Sequence, residues 1–124
     1  AFAGATIESG FELFAKATDL ESKVGEADFV VTAEGAIDEQ TLMGKGTGQV
    51  AALCRRLGKP CIGLAGQLAI SQAEVEPYKR LFWRLATLVP DLASEPEAMA
   101  NAASHLEQLA KGQGVLSQHK NFTD

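Results

Sequence analysis

Apolar positions along the chain alternate between two periods. Phe11, Phe14 and Ala15 stand at i, i+3 and i+4, the spacing of one helix face, and the pattern runs out near Thr18. Ser9 with Glu12 has the form of a capping box that would open this helix. Asp19 can cap a second, shorter helix from Leu20 to Val24, stopped by Gly25. The period then changes. Residues 27–32 are short, apolar and β-branched at Val30, Val31 and Thr32, which predicts a buried strand. A polar, glycine-rich loop over 33–46 follows, with room for one helical turn. Val50, Ala51, Leu53, Cys54 and Leu57 restore the helical spacing; Gly58 suits the position past the helix end, and Pro60 prevents continuation.

Residues 60–65 predict a second strand, almost wholly apolar, with Gly66 starting a turn. Ser71 and Glu74 form another capping box, and Pro77 confines that helix to a short piece or falls in its first turn. A third strand is expected over 81–89, ahead of Pro90. Ser94 and Glu97 open a last helix with Ala98, Met99, Ala102, Leu106 and Leu109 on one face, ended by Gly112 and Gly114. Phe82 and Trp83 read as core residues, and His105 as a solvent-facing residue of that helix. Beyond Gly112 the chain has no periodicity, so 113–124 reads as a flexible tail.

Strands that alternate with helices predict right-handed crossovers and a mainly parallel α/β sheet covered by helices, with 27–32, 60–65 and 82–88 as neighbouring strands. Nearly continuous apolar strands agree with this, because parallel sheets are covered on both faces. At 124 residues the chain is one domain at most, long enough for a core of its own.

Charge and composition narrow the function. The net charge is −5, and the basic pairs Arg55-Arg56 and Lys79-Arg80 are isolated. Nucleic-acid binding needs clustered positive charge and is not expected. No apolar run approaches the ~20 residues that cross a bilayer, so neither a membrane span nor a signal peptide is expected, and a reduced cytoplasmic setting is. Cys54 and Cys61 lack a zinc spacing and read as small buried hydrophobes. Two phosphate-binding motifs are excluded around Lys45: Glu39 occupies the first glycine position of a P-loop, and Gln49 breaks the glycine pattern that starts at Gly44.

Candidate chemistry concentrates in Thr32–Lys45, where the first strand runs into the polar loop. Open α/β sheets bind ligands at such carboxyl ends of strands. Glu34 and Asp38 are hard oxygen donors of the kind Mg²⁺ prefers, and either could instead orient or deprotonate a hydroxyl. Both could equally cap turns. Lys45 could reach a phosphate or a carboxylate. Gly44, Gly46 and Gly48 allow close backbone approach, and the start of the following helix offers amides to an anion.

The wording of this stretch resembles class I glycerate kinases. These carry an apolar strand followed by a segment close to Gly-Glu-Gly-x-Ile/Leu-Asp-x-Gln-Ser/Thr-x-x-Gly-Lys. Glu34, Gly35, Ile37, Asp38, Gln40, Thr41, Gly44 and Lys45 fall on it in register. Ala33 replaces the first glycine, and Gly46-Thr47 stands where the family has a small residue and a proline. Residues 9–13 and 59–66 resemble two further family segments, so the similarity covers most of 4–112.

The resemblance implies a Rossmann-like segment over 1–112, part of a larger two-domain protein. It implies ATP- and Mg²⁺-dependent phosphorylation of D-glycerate to a phosphoglycerate. Glu34, Asp38 and Lys45 would be catalytic, with Asp38 and Glu34 as metal ligands. Gly35, Gln40, Thr41, Gly44, Gly46, Gly48 and Gly66 would contact substrate or nucleotide. The family's amino-terminal motif has no counterpart here, and the chain lacks an initiator Met. Both features predict a carboxyl-terminal portion that is inactive alone and pairs with the rest of the parent chain or with a second copy. The alternative is a non-catalytic nucleotide- or anion-binding or assembly domain.

Overall fold

The computed structural model describes residues 2–44 and 46–113. Lys45, and the expected tail beyond Gln113 with Gly114 and His119, lie outside the described residues. In chain order the elements are α1 (Gly10–Thr18), α2 (Leu20–Glu26), β1 (Val30–Ile37), α3 (Glu39–Leu42), α4 (Thr47–Arg56), β2 (Cys61–Leu68), α5 (Gln72–Lys79), β3 (Arg84–Val89), α6 (Glu95–Ala100) and α7 (Ala102–Gly112).

The three strands form one parallel sheet in the order β1-β2-β3, with Val30 beside Cys61 and Ile62 beside Arg84. The expected neighbours and direction are those found. Both crossovers step the same way across the sheet, so right-handed connection places α4 and α5 on one face. There Ala51, Leu53, Cys54, Val75, Tyr78 and Phe82 pack with Val24, Ile37, Cys61 and Ala65. On the other face α6 and α7 bring Ala98 and Leu109 against Ile62, Leu64, Ala86 and Leu88. Cys54 and Cys61 are buried free thiols. Burial pushes the Cys61 thiol up to about 12, with the neighbouring Cys54 adding to the rise.

Several boundaries differ from expectation. β1 runs on through Ile37, so Glu34 and Gly35 lie in the strand and not in a loop. Gly66 lies within β2 and does not start a turn. α2 continues through Gly25 to Glu26, because a single glycine costs less than the packing of Val24 recovers. Asp19 adopts a left-handed backbone (φ 51°) that closes α1, and its side chain caps nothing. The last helix is two helices, broken at Asn101 (φ −133°, ψ 38°). That break turns Met99 outward, 80% exposed, and leaves Leu106 at 42%.

Trp83 is 37% exposed, not core, with the Arg84 guanidinium 4.4 Å from its ring centre. His105 is half-buried, and its Nδ1 is shut away from solvent with no hydrogen-bond partner. The capping boxes at Ser71 and Ser94 are both formed.

Candidate functional site

β1 carries Glu34 into the space beneath α4. Along Val30–Ile37 the even-numbered residues are half-buried under that helix, and Val31, Ala33 and Gly35 face outward. Glu34 Oε2 accepts the Thr41 hydroxyl at 3.1 Å, and Oε1 accepts the Thr47 hydroxyl in a short hydrogen bond. Asp38 follows directly on β1 and caps α3. Its Oδ1 accepts Thr41 N–H at 3.1 Å, and its own N–H donates to Thr41 Oγ1 at 3.4 Å. The turn-capping reading of Asp38 is therefore realised, in a place where it also faces Glu34 across one residue.

That residue is Thr41, 3% exposed. Its oxygen stands 3.1 Å from Glu34 Oε2 and 3.3 Å from Asp38 Oδ1. A hydroxyl has one proton and donates to one carboxylate at a time. The two acidic groups thus compete for the one Thr41 hydroxyl proton, and among the described residues neither has an ion-pair partner. Such a pair attracts a cation. The donor set is two carboxylates and a hydroxyl, with no third carboxylate, histidine or cysteine among the described residues. This fits Mg²⁺, which binds through one or two carboxylates and completes its shell with water and phosphate oxygens.

On the other side of Glu34 a chain of hydroxyls runs into the core. Thr47 Oγ1 lies 3.1 Å from the Tyr78 hydroxyl. The Thr47 proton is taken by Glu34, so the phenol is the donor to Thr47. Tyr78 comes from α5 and is braced edge-on by Phe82 at 5.2 Å. Burial pushes the Tyr78 phenol up to about 12; the Thr47 hydrogen bond opposes the rise, and the negative charge of Glu34 adds to it. The phenol therefore stays protonated and remains a donor at neutral pH.

Gly46 and Gly48 set this geometry. Gly46 is the N-cap of α4 with φ 54° and ψ −118°, a region that side chains disfavour. A Cβ on Gly48 would stand 2.9 Å from the Thr41 carbonyl oxygen and 3.0 Å from the Tyr78 ring. The bare side of Gly48 thus admits Thr41 and Tyr78. A Cβ built on Gly46 would lie 3.9 Å from Glu34 Oε2. The Glu34 carboxylate, hydrogen-bonded to the first residue of α4, therefore takes up the favourable charge position at that helix's amino end.

Of the residues expected to act, Glu34, Asp38 and Thr41 meet directly, and Gly46 and Gly48 frame them. Gly35 lies in β1 and Gln40 in α3 beside them. Gly44 forms a turn with φ 84°. Gly66 lies against the carbonyl of Gly35. Lys45 lies outside the described residues. Thr47 and Tyr78 were missed. For Thr47 the signal was present, a hydroxyl at the first turn of a helix where the family pattern has proline. Tyr78 gave none, since the contact spans 31 residues.

The chain is thus an α/β protein with a parallel sheet, in which Glu34 and Asp38 meet towards the carboxyl end of β1. The particular family follows from comparison: the glycerate kinase family pattern matches residues 1–116, and the chain belongs to that family. It is 37% identical over 123 residues to a glycerate kinase of Halalkalibacterium halodurans, covering 99% of this chain and 32% of that protein. To a glycerate kinase of Bacillus subtilis it is 35% identical over 107 residues, 86% of this chain and 28% of the relative. A solved structure from Salmonella typhimurium LT2, described as a candidate glycerate kinase 2, superposes with a TM-score of 0.56 at 26% identity, over 96% of this chain and 30% of that one. The chain spans about a third of the length of the curated relatives it matches.

Proposed function

We propose that this chain forms the cation- and phosphate-handling part of a class I glycerate kinase, which phosphorylates D-glycerate with ATP. The observation that carries this reading is the sharing of one Thr41 proton by Glu34 and Asp38 with no described cation beside them. Glu34 and Asp38 would hold Mg²⁺, which supplies charge neutralisation to the transferring phosphate. Thr41 orients both carboxylates. Thr47, held by Tyr78, fixes the rotation of Glu34. Lys45, one residue before the Gly46 turn, is proposed as the phosphate contact. Two buried free thiols agree with a reduced, cytoplasmic setting.

Phosphoryl transfer depends on positioning both reactants. The exposed apolar residues Ile7, Leu13 and Phe14, at 97%, 57% and 56%, favour a chain that works as part of a larger body. The purified 124-residue chain is expected to give no glycerate-dependent ADP above background and to bind ATP·Mg²⁺ only weakly, at about millimolar Kd or above. The full-length protein is expected to turn over. Robust turnover by the isolated chain would refute the division of the site, and an inactive full-length protein would refute the kinase reading.

A further inference from the structure

The sheet has two unlike edges. At β3 one edge amide is taken within the chain: Thr87 N–H donates to Asp91 Oδ2 at 2.8 Å, and the Thr87 hydroxyl donates to the same oxygen at 2.9 Å. That amide is withdrawn from pairing with any further strand. Among the described residues β1 pairs with β2 alone, so alternate amides and carbonyls along its eight residues point away from the sheet. β1 contains no lysine or proline, the residues that commonly protect an edge. Its one charge, Glu34, is held by Thr41 and Thr47.

The outward face of β1 is equally unfinished. Parallel strands are normally covered on both sides. α7 packs on β2 and β3, and Val31, Ala33 and Gly35 stay exposed. Between this face and α7 lies an apolar slot of about 350 Å³, lined by Ala33, Gly35, Gly66, Leu88, Ala102 and Leu106. Small residues on both walls leave room for side chains from a covering helix.

We propose that β1 is an internal strand of the working protein. Its free edge takes a strand, and the slot takes a helix, from the part of the glycerate kinase polypeptide outside these 124 residues. The relatives supply the material, since this chain matches only 32% and 28% of their lengths. A second copy is the poorer occupant, because each copy carries a net charge of −5. The docked strand would lie beside Glu34 and so bring the missing half of the reacting groups to the acidic cluster. That last consequence rests on the kinase reading; the interface does not.

Hydrogen exchange followed by mass spectrometry on the full-length protein tests it without any activity measurement. Peptides covering 30–37 are expected to exchange as slowly as those covering the central strand, 61–68. Exchange about 100-fold faster in 30–37 than in 61–68 would overturn the proposal. The 124-residue chain is expected to run as a 13.1 kDa monomer with fast exchange at alternate β1 amides. A dimer with those amides protected would assign the edge to a second copy and overturn the stated occupant. Val31→Lys is expected to lower the melting temperature of the full-length protein by several degrees; an unchanged melt would contradict burial of that face. An active-site variant that leaves turnover intact would strike only at the kinase reading.

Discussion

Replacing Asp38 by Asn in the full-length protein is expected to lower kcat about 100-fold while stability changes by less than about 0.5 kcal/mol. The two effects separate because Asp38 does two jobs. Its Oδ1 caps α3 through Thr41 N–H at 3.1 Å, and an Asn amide oxygen caps a helix about as well as a carboxylate. The helix turn, and with it Thr41, stays in place. What the substitution removes is one of the two negative charges that share the Thr41 proton, and hence the attraction for a hard cation. Asp38→Ala is the weaker experiment: it also removes the cap, at about 1 kcal/mol, and confounds folding with chemistry. Steady-state kinetics beside a thermal melt read both quantities. Near-normal turnover of the Asn variant would remove Asp38 from the reaction.

Gly66→Ala is expected to destabilise the fold by about 3 kcal/mol, the upper end of what overpacking costs. A Cβ on Gly66 would stand 2.5 Å from the carbonyl oxygen of Gly35 on the neighbouring strand. The obstacle is backbone, so no rotamer change relieves it, and β1 must shift away from β2 beside Glu34. Against a total stability of roughly 5–15 kcal/mol this is a large loss. Gly35→Ala is the control. In the 124-residue chain a Cβ there meets nothing within 4 Å, and its effect on that chain should stay within about 0.5 kcal/mol. Urea unfolding of both variants decides the matter; equal midpoints would mean that the two strands are not packed at this distance.

The parallel sheet was legible because its strands are apolar runs bounded by residues that stop helices. The limits of β1 were not. Ala33, Gly35 and Ala36 carry little apolar signal, and Glu34 and Thr32 look like loop residues until α4 is placed over them. Gly66 looked like a turn because its real role, letting two backbones approach, leaves no trace in one sequence. The break at Asn101 was hidden by alanines on both sides, which suit one helix as well as two. In the site, Glu34 and Asp38 could be named from the loop wording and from hard-ligand chemistry. Their meeting at Thr41 was not visible, since Glu34 had been placed in a loop. Tyr78 reaches the cluster through tertiary packing alone, and residue spacing cannot encode that.

Glu34, Asp38 and Thr41 are proposed as the cation site of a phosphotransferase. Paramagnetic broadening of backbone amide NMR signals tests it most directly, with Mn²⁺·ATP titrated into the 124-residue chain at substoichiometric amounts, so that weak binding still registers. Broadening is expected at residues 34–41 and at the start of α4, and it should disappear in the Glu34→Gln, Asp38→Asn double variant while the remaining spectrum is unchanged. Sharp signals across 34–41 with broadening at the exposed acids of α5 and α6, or broadening that survives the double variant, would place the cation away from Glu34 and Asp38.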